Sequence, residues 1–296
     1  MATTTLLILG ASGDLTSRLL LPALGQLLKR QSDRQLNLVG AGSDDWSTEK
    51  WRGTVAKQFA EAHAETETSR VIGTTYQQVD VTSKDAMQKL LSGLGDTGPL
   101  VIYFALPPAI TWKCCEVLGS IKLPKETSLA LEKPFGSDAD SAQKLNEMLL
   151  GLVPESRIFR VDHFLGESTF LSILGTRLAN RVFTPIWNAE HVESVDIIWD
   201  ETLTLEDRAR YYDHAGALED MIQSHLLQVL SLVALEAPAT LNSQDLRSAQ
   251  AAALRATRIW RDDPKVASQR ARYTAGTIGS RKVVSYVDEP GVDPTR

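Results

Sequence analysis

A short apolar run, Thr5 to Leu9, stops at Gly10 and is followed by Ala11, Ser12, Gly13 and Asp14, after which apolar residues recur at helical spacing from Leu15 to Leu28. That order reads as strand, tight glycine turn, helix. Glycines at 10 and 13 let the backbone turn sharply and come close to a pyrophosphate. Its charge is then met by the N–H groups and positive dipole end of the helix. A plain strand-to-helix turn has the same signature, so the rest of the chain must decide between the two.

Further strand-like runs follow at Leu36 to Gly40, Tyr76 to Val81, Leu100 to Ala105 and Ser128 to Leu131, separated by helical stretches. A last one, Ile158 to Val161, comes after a helix around Ala142 to Leu152. Such alternation implies parallel strands with helices on both faces, an α/β, Rossmann-like doubly wound sheet. Ligands of such sheets lie outside the carboxyl ends of the strands. Two of those ends carry proline: Phe104-Ala-Leu-Pro-Pro-Ala109, with Pro107 first, and Glu132-Lys-Pro-Phe-Gly136. A fixed turn there, including a cis peptide between Lys133 and Pro134, would shape the crevice; alternatively these prolines only end strands.

At 296 residues the chain exceeds a usual single domain, so two compact units are expected, 1–162 and 163–296. Composition is that of a globular protein, with 43% hydrophobic and 23% charged residues. A net charge of −6 excludes a general polyanion binder and with it nucleic acid. The only cysteines, Cys114 and Cys115, are adjacent, which suits neither a disulfide scaffold nor a metal site, so no metal is expected. There is no basic n-region before the first apolar run and no stretch of roughly 20 apolar residues. A cytoplasmic protein, neither secreted nor membrane-bound, is the expectation.

The residues accumulated so far resemble the glucose-6-phosphate dehydrogenase family. The likeness lies in Gly10-Ala-Ser-Gly-Asp-Leu15, Glu132-Lys-Pro-Phe-Gly136 and Arg160-Val-Asp-His-Phe-Leu-Gly166. It continues through Leu178-Ala-Asn180 with Trp187-Asn188, Tyr211-Tyr-Asp213 with Gly216, and Asp220-Met-Ile-Gln-Ser-His-Leu-Leu-Gln228. The match is collinear over nearly the whole chain. It implies that part of an α+β domain with a large antiparallel sheet follows the first sheet. It also implies oxidation of glucose 6-phosphate, or a related hexose, at C1 with hydride transfer to NADP or NAD, the entry step of pentose phosphate metabolism.

Taking the hydroxyl proton while hydride departs needs a base whose pKa lies near working pH, and histidine held by a carboxylate suits that task. The resemblance puts the base on His225 and its partner on Asp162, facing the nicotinamide across a cleft between the two units. On its own, His225 reads as a satisfied core histidine among Met221, Leu226, Val229 and Leu230. The resemblance assigns Lys133 to both dinucleotide and sugar, where an ammonium orients substrate and stabilises developing charge. Glu201 and Asp220 become acceptors for sugar hydroxyls and His163 a ligand of the sugar phosphate. Gly10, Ser12, Gly13, Asp14, Leu15, Ser43 and Pro107 line the dinucleotide. Each of these charged residues, taken alone, is as well a surface or helix-end group.

Three departures from the family matter. After Gly166 the family has a lysine for the sugar phosphate, but this chain has Glu167, followed by Ser168 where a glutamate is common. A carboxylate about 4 Å from a phosphate charge costs about 4 kcal/mol at an effective dielectric near 20, and Phe164 lacks the hydroxyl of the usual tyrosine. Second, the arginine that meets the 2′-phosphate of NADP is missing after Gly40, where the chain reads Ala41, Gly42, Ser43, Asp44, Asp45, Trp46. Residue chemistry favours NAD and family habit favours NADP, while Asp44 and Asp45 could instead cap a helix beginning near Ser47. Third, the family continues beyond Arg296 into further strands, which supply cations for substrate and build a homodimer contact. A shortened chain is therefore expected, in which strands Val192 to Asp200 and Lys282 to Val287 have open edges. Against the dehydrogenase stands a non-catalytic, nucleotide-binding partner subunit; retention of Asp162, His225 and Lys133 together favours chemistry.

Overall fold

The computed structural model describes residues 3–95, 98–205 and 208–295, and the chain divides into two compact units, Met1–Val161 and Asp162–Arg296. The first is a six-stranded parallel sheet. Its strands are β1 (Thr4–Leu9), β2 (Leu36–Gly42), β3 (Thr75–Gln78), β4 (Leu100–Phe104), β5 (Thr127–Glu132) and β6 (Ile158–Val161). They lie side by side in the order β3-β2-β1-β4-β5-β6. Chain direction across the sheet reverses between β1 and β4, the switch point outside which ligands of doubly wound sheets bind. Among the described residues its α-helices are α1 (Leu21–Arg30), α2 (Thr48–Glu61), α3 (Lys84–Gly93), α4 (Pro108–Gly119) and α5 (Ala139–Leu152). The expected doubly wound sheet is therefore present.

Both faces of the sheet are covered, which is why its central strands β1 and β4 are apolar nearly throughout rather than alternating. Leu7 and Leu9 of β1 pack with Ile102, Phe104, Leu129, Met87, Leu118 and Leu149 on one side. Ile8, between them, points the other way to Leu21, Leu28, Trp51, Val55 and Phe59. Cys114 and Cys115 are fully buried in the first of these layers, and burial pushes the Cys115 thiol up to about 12. They serve as small packing residues.

The second unit is mainly helical: α6 (Ser168–Ala179), α7 (Ala209–Ala217), a π-helical segment Leu218–Leu226, α8 (Leu227–Ala234), α9 (Ser243–Ala256) and the single turn α10 (Pro264–Ala267). A short antiparallel hairpin, β7 (Gly276–Ile278) with β8 (Arg281–Val283), is its sheet. The anticipated strand from Val192 to Asp200 does not form, and of the run Lys282 to Val287 only the beginning is strand. The physical reason is pairing: an extended segment is stabilised by a ladder partner, and 192–200 has none among the described residues. Buried Arg177 ties α6 to α8 by donating to the carbonyls of Leu232 and Leu235, each at 2.7 Å, at the helix end where a cation is favoured. Among the described residues no helix is long and apolar enough to cross a membrane.

Candidate active site

In the first unit the glycine turn closes as the sequence requires. Gly10 has φ +82°, and its N–H and that of Ala11 both reach Ala41 O, while Gly13 N–H donates to Gly10 O at 3.0 Å. Thr16 Oγ1 also donates to Gly10 O. Asp14 and Leu15 open the following helix, so their N–H groups have no partner one turn back. Gly13 and Asp14 are exposed, leaving the positive end of the helix open beside the switch point. Open backbone donors at a helix start are the kind of site that receives a pyrophosphate.

The other sequence-selected residues of this unit stand at neighbouring strand ends. Ser43 follows β2 and is exposed; its carbonyl accepts from Gln78 Nε2 at 2.9 Å. Pro107 is the residue before α4. Lys133 follows β5, and its peptide bond to Pro134 is cis. Tyr103 Oη on β4 donates to Glu132 Oε1, tying β4 to β5 immediately before Lys133, and burial with this acceptor pushes the phenol well above its usual range. The question left open at Asp44 and Asp45 is answered by Ser47, whose side chain caps α2 by accepting from Lys50 N at 3.1 Å. Both aspartates remain exposed at the end of β2, where a carboxylate meets a free ribose 2′-OH. Lys50, with Nζ 4.2 Å above the Trp46 ring, is a cation near this strand end that sequence reasoning did not single out.

In the second unit, residues remote in sequence come together. His225 Nδ1 lies 2.7 Å from Asp162 Oδ1, with the imidazole buried. The carboxylate is held in place because the same oxygen accepts from Phe164 N at 3.0 Å, a consequence of Asp162 starting the short 3₁₀ turn His163–Gly166. A neighbouring carboxylate fixes Nδ1 as the protonated nitrogen and makes Nε2 the basic one. Phe164 packs its ring on His225 at 4.0 Å between centroids, and exposed His163 stands edge-on to it at 4.8 Å. Phe164, noted in the sequence only for its missing hydroxyl, is thus the apolar wall that excludes water from the imidazole.

His225 and Asp220 lie on the π-helical segment, where Leu227 N–H reaches back five residues to Ile222 O. In an α-helix residues five apart point about 140° away from each other. The wider π turn brings them toward one face, which is why both are buried. Gly216, at φ +63°, makes a kink inside α7, two residues before this segment. Asp220 accepts from Tyr211 Oη at 3.4 Å and pairs with Arg208 at 3.5 Å. Glu201 is exposed, with Oε1 accepting from the N–H groups of Thr202 and Leu203. Trp199, whose Nε1 lies 3.5 Å from Glu201 Oε2, stacks on Phe164 at 4.7 Å and so links Glu201 to the histidine cluster. Trp199 and Arg208 were not identified from sequence, and Tyr211 was noted only as part of a motif; proximity in the fold gives all three a place at the site. Glu167 is exposed at the start of α6, so its carboxylate faces solvent rather than the core.

Two family models match the chain. Residues 7–171 match the glucose-6-phosphate dehydrogenase NAD binding domain, and residues 174–296 match the C-terminal domain of the same enzyme. The chain belongs to the glucose-6-phosphate dehydrogenase family. Its first unit is accordingly an NAD(P)-binding domain, with no 2′-phosphate arginine at the position where the family carries one. Among relatives, the Bacillus subtilis glucose-6-phosphate 1-dehydrogenase is 36% identical over 98% of this chain and 62% of its own length. The Gluconobacter oxydans enzyme is 37% identical over 96% of this chain and 61% of its own length. The crystal structure of a Mycobacterium avium glucose-6-phosphate 1-dehydrogenase superposes with a TM-score of 0.82 at 29% identity, covering 99% of this chain and 62% of that one. A glucose-6-phosphate dehydrogenase solved in complex with its substrate gives a TM-score of 0.82 at 28% identity, covering 99% and 63%. The chain thus spans about three fifths of the length of the family members it matches.

Proposed function

We propose that this chain carries the dinucleotide-binding and proton-abstracting parts of a dehydrogenase that oxidises glucose 6-phosphate, or a related hexose, at C1 to the lactone. Residues 1–162 hold the dinucleotide and residues 163–296 the sugar. The observation that carries this reading is the buried pair of His225 and Asp162, 2.7 Å apart. Bound NAD or NADP supplies the hydride acceptor. His225 takes the C1 hydroxyl proton on Nε2, and Asp162 stabilises the imidazolium that results. Asp220, fixed by Tyr211 and Arg208, is a rigid acceptor for a sugar hydroxyl. Glu201 is a second acceptor, His163 offers a donor to the phosphate, and Lys133 is the cation this reading assigns to sugar and dinucleotide. In the dinucleotide site, Gly10, Ser12, Gly13, Asp14, Leu15, Ser43 and Pro107 form the surface that receives the cofactor. A homodimer of this chain belongs to the same reading.

The test is the near-ultraviolet absorbance of newly reduced NAD and NADP with glucose 6-phosphate and with glucose. Sugar-dependent reduction that requires His225 supports the dehydrogenase. Dinucleotide binding with no reduction by either sugar, from a polypeptide extended to the family's full length, favours the partner-subunit reading instead.

Two further outcomes follow from the local charges. Glu167→Lys should lower KM for the phosphorylated sugar about tenfold or more and leave the free sugar nearly unaffected. The exposed position reduces the penalty from the low-dielectric figure to about 1 kcal/mol per charge at about 4 Å in water. Equal changes for both sugars would show that residue 167 does not face the phosphate. Ser43→Arg should raise the ratio of kcat/KM for NADP over NAD about tenfold, since an arginine fork pairs with a phosphate dianion. An unaltered ratio would place the 2′-position elsewhere than the end of β2.

A further inference from the structure

The residues around His225 form a second chemical pattern that proton abstraction does not use. One nitrogen from each of His163 and His225 and one carboxylate oxygen of Asp162 lie within 4.8 Å of one another. We infer that this triad binds a borderline transition-metal cation, Zn2+ foremost, and that the ion shuts off proton abstraction by occupying the imidazole and its carboxylate.

Two imidazoles and a carboxylate are a ligand set of four-coordinate zinc, with the fourth position left for water. Zinc–ligand bonds of about 2.0–2.2 Å put two ligands of a tetrahedral ion at most about 3.5 Å apart, so the triad must close by on the order of 1 Å. His163 can supply that movement, since its side chain is exposed and its ring stands edge-on to His225 at 69°. Asp162 adds an independent indication: Oδ1 is engaged, but buried Oδ2 has no hydrogen-bond partner among the described residues. A buried acceptor without a donor is a position that a cation satisfies. Nitrogen-rich donor sets select zinc, nickel or copper over magnesium and calcium, which prefer all-oxygen cages. No oxidation is involved: the ion forms bonds to nitrogen and oxygen lone pairs, and any proton it displaces from the ligands passes to solvent.

Binding itself is independent of the dehydrogenase reading; only the inhibitory consequence rests on it. The purified chain, stripped of metal, is titrated with Zn2+ against a chromogenic chelator in the absence of sugar and dinucleotide. One equivalent should bind, and millimolar Mg2+ should not compete. His163→Gln and Asp162→Asn should each weaken binding at least about tenfold, whereas His191→Gln, at an exposed histidine outside the triad, should leave it unchanged. Because His163 is exposed, its variant tests the site even where substitution of buried His225 impairs folding. No stoichiometric binding, or wild-type affinity in His163→Gln, overturns the site. In the reduction assay, zinc should inhibit the wild type and a chelator should restore it. Zinc binding through the triad, with no dinucleotide reduction by the polypeptide extended to the family's full length, upholds the metal site and overturns the dehydrogenase, whereas reduction without zinc binding does the reverse.

Discussion

Replacing His225 with asparagine will lower kcat for sugar oxidation by about two to four orders of magnitude, the usual contribution of a positioned general base, and leave dinucleotide affinity unchanged. Asparagine still donates to Asp162 Oδ1 and leaves little void against Phe164, but no nitrogen of an amide accepts a proton at neutral pH. The loss should therefore fall on kcat far more than on KM, because the acceptors proposed for the sugar hydroxyls, Asp220 and Glu201, are unchanged. Reduced-nicotinamide absorbance gives the rates, and a fluorescence titration with the dinucleotide gives the affinity. A variant as fast as the wild type would make His225 an ordinary buried histidine satisfied by Asp162 and remove the base from the proposed reaction.

Gly10→Ala will both destabilise the first unit and abolish tight dinucleotide binding. The residue occupies φ +82°, and an added Cβ would lie 2.1 Å from the carbonyl oxygen of Ala105. Left-handed strain and overpacking against backbone each cost about 1–3 kcal/mol, so a stability loss of about 2–6 kcal/mol in urea denaturation is expected. The turn that aims the first helix at the switch point relaxes at the same time, and dinucleotide affinity should fall by about a hundredfold or more. Gly53→Ala is the control. It lies within α2 with nothing near its would-be Cβ, and alanine is the better helix former there. Equal stability of the two variants would mean that the turn is not strained as described.

Much of the architecture was legible because it depends on near neighbours in sequence. The strands around Leu7, Leu38, Ile102 and Leu129 announce themselves as apolar runs, and burial of both sheet faces follows from their regular succession with helices. Gly10 marked the turn because only glycine takes that backbone conformation cheaply. Lys133, before a proline at a strand end, and the family motif around Asp162 were readable in the same local way. The run from Val192 to Asp200 looked like a strand by composition and is not one, because a strand's stability comes from its neighbour and no described segment pairs with it.

What sequence determined, then, was which residues are able to take a proton, accept a sugar hydroxyl or approach a phosphate, and where the chain turns. Only the tertiary structure decided that Asp162 meets His225, that Phe164 and Trp199 wall them in, and that Arg208 and Tyr211 fix Asp220. A π turn replaces an α turn beneath these groups, and Ser47 rather than an aspartate caps α2. Each depends on a distance between residues far apart along the chain, or on a choice between helix types of nearly equal energy, and packing settles both.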